Sequence, residues 1–485
     1  MTTMECHNSK KEVIKMTNRI ITNLTSNSSL KKGPFIIVLA AAVLLTSASA
    51  FAQGRQLGLN VLLNTEITED IIAELNKVGK VLNEYRQIGG LHIRAPEDRI
   101  PEIEALSFVD VVSPDTERYG RPVDTVDVED FTDGWGTWDL DAVDVITDPR
   151  LNIRQVDYDG SGVYVAVIDS GLVDSWRQYF PQERIATEYA ICFGGGGMEQ
   201  GAISTQPNKW EHDQDSHGTH VTSTILGYSF FGIPTNGVAP MATIIPVKVL
   251  NQNGWCWSSV TAQGILYVAD LKDGPLADYP VVINMSLGGP RLDAVEQAAI
   301  DYAISKGVIV VASAGNNGDS GMGYPGAYAP VISVAASGWI WEWIPAPGGL
   351  PWWWGRDVVD PTDPADFYIA DWSSRELSGQ DLDVAAPGSW VVGPYQMQSG
   401  WISYYYLGGT SMASPHVAGI VALMLQKDPG LTADDVESIL EGSAIYLGPG
   451  TREIHTPWGT IENPSWDEDT TGAGLVSAVA ALSAT

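Results

Sequence analysis

Four stretches of this chain are apolar at almost every position and then stop short at small or polar residues: 163–168, 244–250, 281–285 and 308–312. A half-buried strand would alternate apolar and polar positions. These runs do not, so they read as central strands of a parallel sheet covered on both faces. Helical stretches lie between them, and that alternation predicts an α/β fold with helices flanking the sheet. Pro246 inside the second run places its strand near an edge or at a strand start. The first run ends in Asp169-Ser170-Gly171, the third leads to Gly288-Gly289, and the fourth to Gly315-Asn316-Asn317. Polar groups at the carboxyl ends of parallel strands gather at one crevice, so these ends are expected to converge on a cleft.

A different rhythm precedes them. From Gln53 to Asp115 the pattern predicts a small β-α-β-β-α-β unit. Leu57–Leu63 reads as a strand and Thr68–Val81 as a helix with Ile71, Ile72, Leu75 and Val78 on one face. Leu91–Ile93 reads as a strand, Pro96–Leu106 as a short helix and Val109–Val112 as a closing strand. Asp115–Gly136 is polar without sustained periodicity and reads as a linker. Residues 1–52 read as a secretion signal: Lys31 and Lys32, an apolar run from Phe35 to Leu45, and small-residue cleavage sites at Ala48-Ser49-Ala50 or Ala50-Phe51-Ala52. That run is short for a membrane span, which argues against an uncleaved anchor. Initiation at Met16 would give a leader of more ordinary length, and Cys6 leaves with it in either case.

Near the other end, Gly408-Gly409-Thr410-Ser411 precedes a run that is small or apolar on every side through Leu425. Such a run suits a helix buried in the core. Glycines allow a tight turn there, and a serine at the helix start faces free N–H groups and the positive end of the helix dipole.

Composition narrows the partners. The 485 residues are 44% hydrophobic with 50 Gly and 28 Pro, enough for a leader and one large domain, or two domains. A formal charge of −32 repels nucleic acid and anionic membrane. Three cysteines are too few for a disulfide-built scaffold.

His212, His217 and His220 invite a metal reading, but their spacing fits no zinc motif and no Cys or Glu completes them. A His-Glu-x-x-His pattern is absent from the sequence. Acyl transfer fits better. A serine hydroxyl needs a base, and the base needs an orienting carboxylate. Ser411, His217 and Asp169 can supply these, with the Asn316 amide and the Ser411 N–H as donors to an oxyanion.

The stretches Asp169-Ser170-Gly171, His217-Gly218-Thr219-His220-Val221 and Gly409-Thr410-Ser411-Met412-Ala413-Ser414-Pro415-His416 resemble, in that order, the signature motifs of the subtilisin-like serine peptidases. Agreement runs over roughly residues 135–485, including Gly472-Ala473-Gly474-Leu475-Val476. The resemblance implies a subtilisin-like parallel sheet flanked by helices, preceded by a small α+β, ferredoxin-like inhibitory propeptide. It divides the chain into a signal peptide (1–52), a propeptide (53–119) and a catalytic domain (120–485). It implies Asp169 as orienting carboxylate, His217 as base, Ser411 as nucleophile and Asn316 as oxyanion donor. Gly254-Trp255-Cys256 and Ser286-Leu287-Gly288 would be the edges between which an extended substrate adds as a strand. Ala314, Gly315 and Gly323 would line the primary pocket, open enough for a large apolar side chain. Tyr324-Pro325 falls where the family often has a cis bond.

The implied protein is a secreted, extracellular, monomeric endopeptidase. It cuts protein and peptide substrates, needs no cofactor for its chemistry, and is inhibited by its own propeptide until that is removed. Structural calcium is expected from the acidic surface and secreted setting. Its ligands stay unassigned because 227–233 lacks the family's asparagine-rich calcium loop. Relatives bridge the regions of Cys192 and Cys256, and spacing leaves a disulfide and two free thiols both open. An insert, 338–368, carries Trp339, Trp341, Trp343, Trp352, Trp353 and Trp354. Alternate Trp at 339, 341 and 343 fits one face of a strand. The insert reads either as a satellite core folded on itself or as an extended cleft or docking surface. Three rival functions are a catalytically quiet binding protein, a dibasic-specific processing protease and a metalloprotease. The complete set of catalytic residue types speaks against the first, and the second would want a carboxylate-lined specificity cleft and usually an extra C-terminal domain. Maturation is expected within 115–135, at Tyr119-Gly120.

Overall fold

A computed structural model describes residues 55–119, 124–127, 136–151, 153–194, 205–206, 208–345, 353–396 and 403–485. The expected leader, the far side of the Tyr119-Gly120 bond and Trp352 lie outside the described residues. Among those described, no helix is long and apolar enough to cross a membrane.

The N-terminal unit runs β1 (Gln56–Leu63), α1 (Glu69–Leu75), β2 (Lys80–Tyr85), β3 (Gly90–Pro96), α2 (Ile100–Glu104) and β4 (Val109–Pro114). Its sheet order is β2-β3-β1-β4, over a core of Leu59, Val61, Leu75, Leu91, Ile93 and Ile103. The first helix ends at Leu75, short of the Val81 expected from its apolar stripe. Asn76 Oδ1 accepts from the Val81 N–H at 2.9 Å and closes a turn. Beyond it, Val81 pairs across from Ile93 as a strand residue. The three-residue spacing of Leu75, Val78 and Val81 is helical, but at Val81 the cross-strand ladder prevails.

Within the expected linker, the strands β5 (Glu117–Tyr119) and β6 (Asp124–Asp127) pair with the large domain; 120–123 and 128–135 lie outside the described residues. Polar composition hides short edge strands, whose backbone does the binding.

The large domain continues through β7 (Tyr164–Asp169), β8 (Ile191–Cys192), α3 (His217–Leu226), β9 (Thr243–Lys248), β10 (Trp255–Trp257), α4 (Ser258–Lys272), β11 (Val281–Met285), α5 (Ala294–Ser305), β12 (Val308–Ser313) and β13 (Ile332–Trp339). Then come β14 (Phe367–Ile369), β15 (Val384–Pro387), β16 (Val391–Pro394), β17 (Tyr404–Gly408), α6 (Thr410–Lys427) and α7 (Ala433–Ser443). The main sheet has order β8-β9-β7-β11-β12-β13-β14, with β15 also paired to β13. It is parallel except for β14 against β13. Pro246 sits on β9 one strand in from the edge, but β8 pairs only with Val247 and Lys248 and leaves the proline unpaired on that side. Residues 410–425 of α6 are all buried, so truncating any of its large side chains should cost about 2–5 kcal/mol. Residues 227–230 and 233–236 pair as a hairpin in place of a calcium loop.

The tryptophan-rich insert corrects both readings offered for it. β13 stops at Trp339, so 339, 341 and 343 do not share a strand face. Trp339, Trp353 and Trp354 are buried in the main core itself. Trp339 stacks on Trp138 with ring centroids 6.1 Å apart and planes 13° from parallel. Trp353 stacks on Tyr406 at 5.4 Å. The buried Glu342 carboxylate turns the chain there, accepting from the Trp339 N–H at 3.0 Å, Tyr368 Oη at 2.8 Å and Ser389 Oγ at 2.9 Å. Burial pushes its pKa up to about 8.

Candidate active site

Strand β7 delivers Asp169 as its last residue, wholly buried. The start of α3 delivers His217 beside it. The imidazole Nδ1–H donates to Asp169 Oδ1 at 2.8 Å and Oδ2 at 2.9 Å. A carboxylate only accepts, so the proton sits on Nδ1 and Nε2 is the free lone pair. Contact this close needs a glycine in the first turn of α3. A Cβ on Gly218 would lie 2.5 Å from the Gly171 carbonyl oxygen. Ser170 holds the junction, accepting from the Gly218 N–H at 2.8 Å and donating to Asp213 at 2.9 Å. Burial disfavours charge on His217, but Asp169, then Asp215 and Asp213, outweigh it and raise its pKa above 6.5. His220 turns away, its Nε2 donating to the Val391 carbonyl at 3.1 Å, and burial lowers its pKa to about 3. The histidines therefore do not converge as metal ligands.

Ser411 stands in the first turn of α6, locked to β11. Its carbonyl accepts from Ser286 Oγ at 2.7 Å, Ser286 Oγ accepts from Asn284 Nδ2 at 3.1 Å, and Ser414 Oγ donates to Asn284 Oδ1 at 2.7 Å. The Ser411 hydroxyl donates to the Ser286 carbonyl at 3.1 Å, while His217 Nε2 is buried without a hydrogen-bond partner. Serine and histidine are thus not hydrogen-bonded to each other in this state, as is common for such pairs before substrate closes the site. Asn316 Oδ1 accepts from the Thr410 N–H and hydroxyl, both at 2.9 Å. Those two donors fix the amide orientation and leave its NH2 as the end not tied to Thr410.

Asn316 and Ser411 wall a cavity of about 630 Å³ that also takes in Gly288, Gly315 and Gly323 from the sequence reading. Ala314 is buried behind it, wholly unexposed. Met322, Leu377 and Gln380 line it too, and no sequence motif marked them. A Cβ on Gly323 would meet nothing nearer than the Gly289 backbone at 3.6 Å and the Gly288 Cα at 3.8 Å, so the wall there is open. No charged side chain is among its lining residues.

The Gly254–Cys256 edge is occupied. Trp255, Cys256 and Trp257 pair antiparallel with Tyr119, Arg118 and Glu117, next to the turn at Gly254. Five residues after Tyr119, Asp124 pairs with Gly408, three residues before Ser411. Leu287 and Gly288 lie between Ser286 and Gly289, and Gly289 approaches the Glu117 carbonyl. Cys192 and Cys256 are both free and buried, so the bridged alternative falls. Cys256 Sγ lies 3.4 Å from Thr261 Oγ1, and burial pushes its thiol up to about 12.

Away from the cleft, Asp381, Asp383 and Glu437 bring carboxylate oxygens within 4.8 Å of one another. Asp383 is unexposed and its Oδ1 has no hydrogen-bond partner. Burial and the neighbouring carboxylates hold both Asp383 and Glu437 up at about 7. An all-oxygen donor set of this kind fits a hard cation such as calcium.

A family model described as the subtilase family matches residues 160–474. Subtilisin E of Bacillus subtilis (strain 168) is 31% identical over 386 residues, 78% of this chain and 81% of its own length. Subtilisin of Bacillus pumilus is 35% identical over 295 residues, 60% of this chain and 86% of its own. Among solved structures, fervidolysin from Fervidobacterium pennivorans, a keratinolytic enzyme related to subtilisin, aligns with TM-score 0.60 and 26% identity. That alignment covers 89% of this chain and 61% of fervidolysin.

Proposed function

The chain belongs to the subtilase family of serine endopeptidases, and on that premise we propose that it is a secreted, monomeric enzyme made as a zymogen that cuts itself. Ser411 attacks the peptide carbonyl once its hydroxyl turns from the Ser286 carbonyl to His217 Nε2, which takes the proton. Asp169 keeps the imidazole in the required tautomer and stabilises its charged form. The Asn316 NH2 and the Ser411 N–H hold the oxyanion. His217 then returns the proton to the leaving amine, and water releases the acyl group. The uncharged, glycine-walled pocket supports a preference for large apolar side chains before the cut bond. A calcium ion at Asp381, Asp383 and Glu437 would stabilise the fold without entering the chemistry. It would displace protons held near 7, so its affinity rises with pH through that value. Chelation by EDTA should then lower Tm, and less so in Glu437→Gln.

The observation that carries this reading is a pair of ladders: residues 117–119 add as a strand to β10, and residues 124–127 add to β17, which ends three residues before Ser411, as an extended substrate would. The segment 53–119 accordingly acts as inhibitor in place of substrate, and the bond to be cut lies between Tyr119 and Asp124. Intact mass and N-terminal sequence of the purified protein beside Ser411→Ala test this. Loss of the N-terminal segment in wild type alone is expected. Equal maturation of both would assign the cut to another protease, and a mature protein beginning near Gln53 would end the zymogen reading.

A further inference from the structure

The segment lying on the β10 edge reports what that edge accepts. Arg118 stands opposite Cys256, its side chain turned inward and 0% exposed. Its Nε donates to the two carboxylate oxygens of Glu296, at 2.9 and 3.1 Å. One terminal nitrogen donates to Glu296 as well, and to the Arg291 carbonyl at 3.0 Å. The other donates within the segment, to Thr116 Oγ1 at 2.7 Å and the Glu117 carbonyl at 3.0 Å. Gly289 lets the segment through, since a Cβ there would lie 2.1 Å from the Glu117 carbonyl oxygen and 2.7 Å from an Arg118 nitrogen.

Glu296 sits in the first turn of α5 and is itself wholly buried. Burial raises its pKa, and Arg118 opposes that. An apolar pair of the same volume would hold the segment as well or better, so stability does not account for a buried ion pair here. Selectivity does. A guanidinium fork meeting both oxygens of one carboxylate is a geometry that an apolar side chain cannot satisfy and an ammonium satisfies only in part.

We infer that Glu296 is the floor of a substrate subsite that selects arginine at the position Arg118 now holds. This rests on reading residues 117–127 as a bound substrate mimic. The cut bond lies between Tyr119 and Asp124, so the selected arginine is the second to sixth residue before it. The enzyme then reads two chemistries: an apolar side chain at the bond and a fork-shaped cation upstream of it. This differs from a dibasic processing protease, whose carboxylates would line the primary pocket.

The test uses mature wild-type enzyme and internally quenched peptides with a fixed apolar residue before the bond. Arg, Lys and Leu are placed in turn at the second to sixth positions. One position should favour Arg over Leu by on the order of 100-fold in kcat/KM, the scale of a buried, hydrogen-bonded charge pair, with Lys between. Glu296→Leu is then made together with Arg118→Leu, so that the precursor keeps a matched pair while folding. At that one position the preference should pass to Leu. Equal cutting of Arg and Leu peptides at every position overturns the inference and leaves the endopeptidase intact. Persistence of the Arg preference in the double variant also overturns it, because another group would then be the floor. If no peptide is cut and a fluorophosphonate fails to label Ser411, the reading of the cleft falls and the inference falls with it.

Discussion

Two regions cover the large domain with segments a minimal sheet-and-helix core would not need, and they differ in how much polar contact holds them. The tryptophan-rich insert is joined by aromatic burial, with Trp339, Trp353 and Trp354 sunk in the main core. Residues 57–119 are joined by an apolar contact, Tyr85 with Leu62 and Ile88 against the core beside α4 and α5, and by a set of buried polar groups. Asp115 accepts from Ser258 Oγ at 2.9 Å, the Ser259 N–H at 3.0 Å and Ser259 Oγ at 2.8 Å, and so caps α4. Asn60 donates to Asp293 at 2.8 Å, and Asp293 in turn caps α5 through the Val295 N–H at 2.9 Å. Apolar surface stripped of its cover must meet water at a cost that scales with area. Carboxylates and helix N-termini stripped of theirs can be hydrated. An interface built from the second kind suits a segment that leaves, and one built from the first suits a segment that stays.

The sharpest way to break this contrast is to stop the departure. Ser411→Ala should lower activity by more than about 10⁴-fold and leave the precursor whole on a gel. Trp353→Ala should destabilise the mature domain by about 3–5 kcal/mol in urea unfolding while the peptide preferences of whatever remains folded stay put. A fall below 1 kcal/mol would mean the insert is not part of the permanent core. Within uncut Ser411→Ala, adding Asp115→Ala removes a helix cap worth about 1 kcal/mol. Hydrogen exchange of the first-turn amides of α4 should quicken roughly 5-fold, with those near Trp339 unchanged. The finest test concerns the cleft between the regions. In the proposed mechanism His217 acts as base only when neutral, and its pKa is raised. Mature-enzyme kcat/KM should therefore fall with acid through a midpoint above 6.5, and Asp215→Asn should move that midpoint toward acid. A midpoint below 6.5 in wild type would contradict the electrostatics described for the site.

The candidate residues could be singled out in sequence because each is tied to a local grammar: an apolar run ending in Asp169, glycine after His217, glycines before Ser411. The four central strands of the parallel sheet were readable for the same reason. What escaped depends on contacts between distant segments. The ladder of Lys80–Tyr85 on β3 competed with a plausible helical stripe. The strands at 117–119 and 124–127 bind through backbone, which composition does not report. Glu296 looks in sequence like any solvated helix residue, since only the arrival of Arg118 from 178 residues earlier gives it a role. The insert misled because tryptophan count speaks of burial but not of which core receives the rings.

The stacked pair Trp138 and Trp339 has an optical consequence. Two indoles 6.1 Å apart and 13° from parallel share their electronic transitions, so absorption by one is delocalised over both. The pair is chiral by virtue of its fixed offset, and it should give a near-ultraviolet circular dichroism band that vanishes when the insert lifts from the core. Because neither ring belongs to residues 57–127, that band should survive maturation, and it offers a clock for the permanent region that the cutting of the removable one does not disturb.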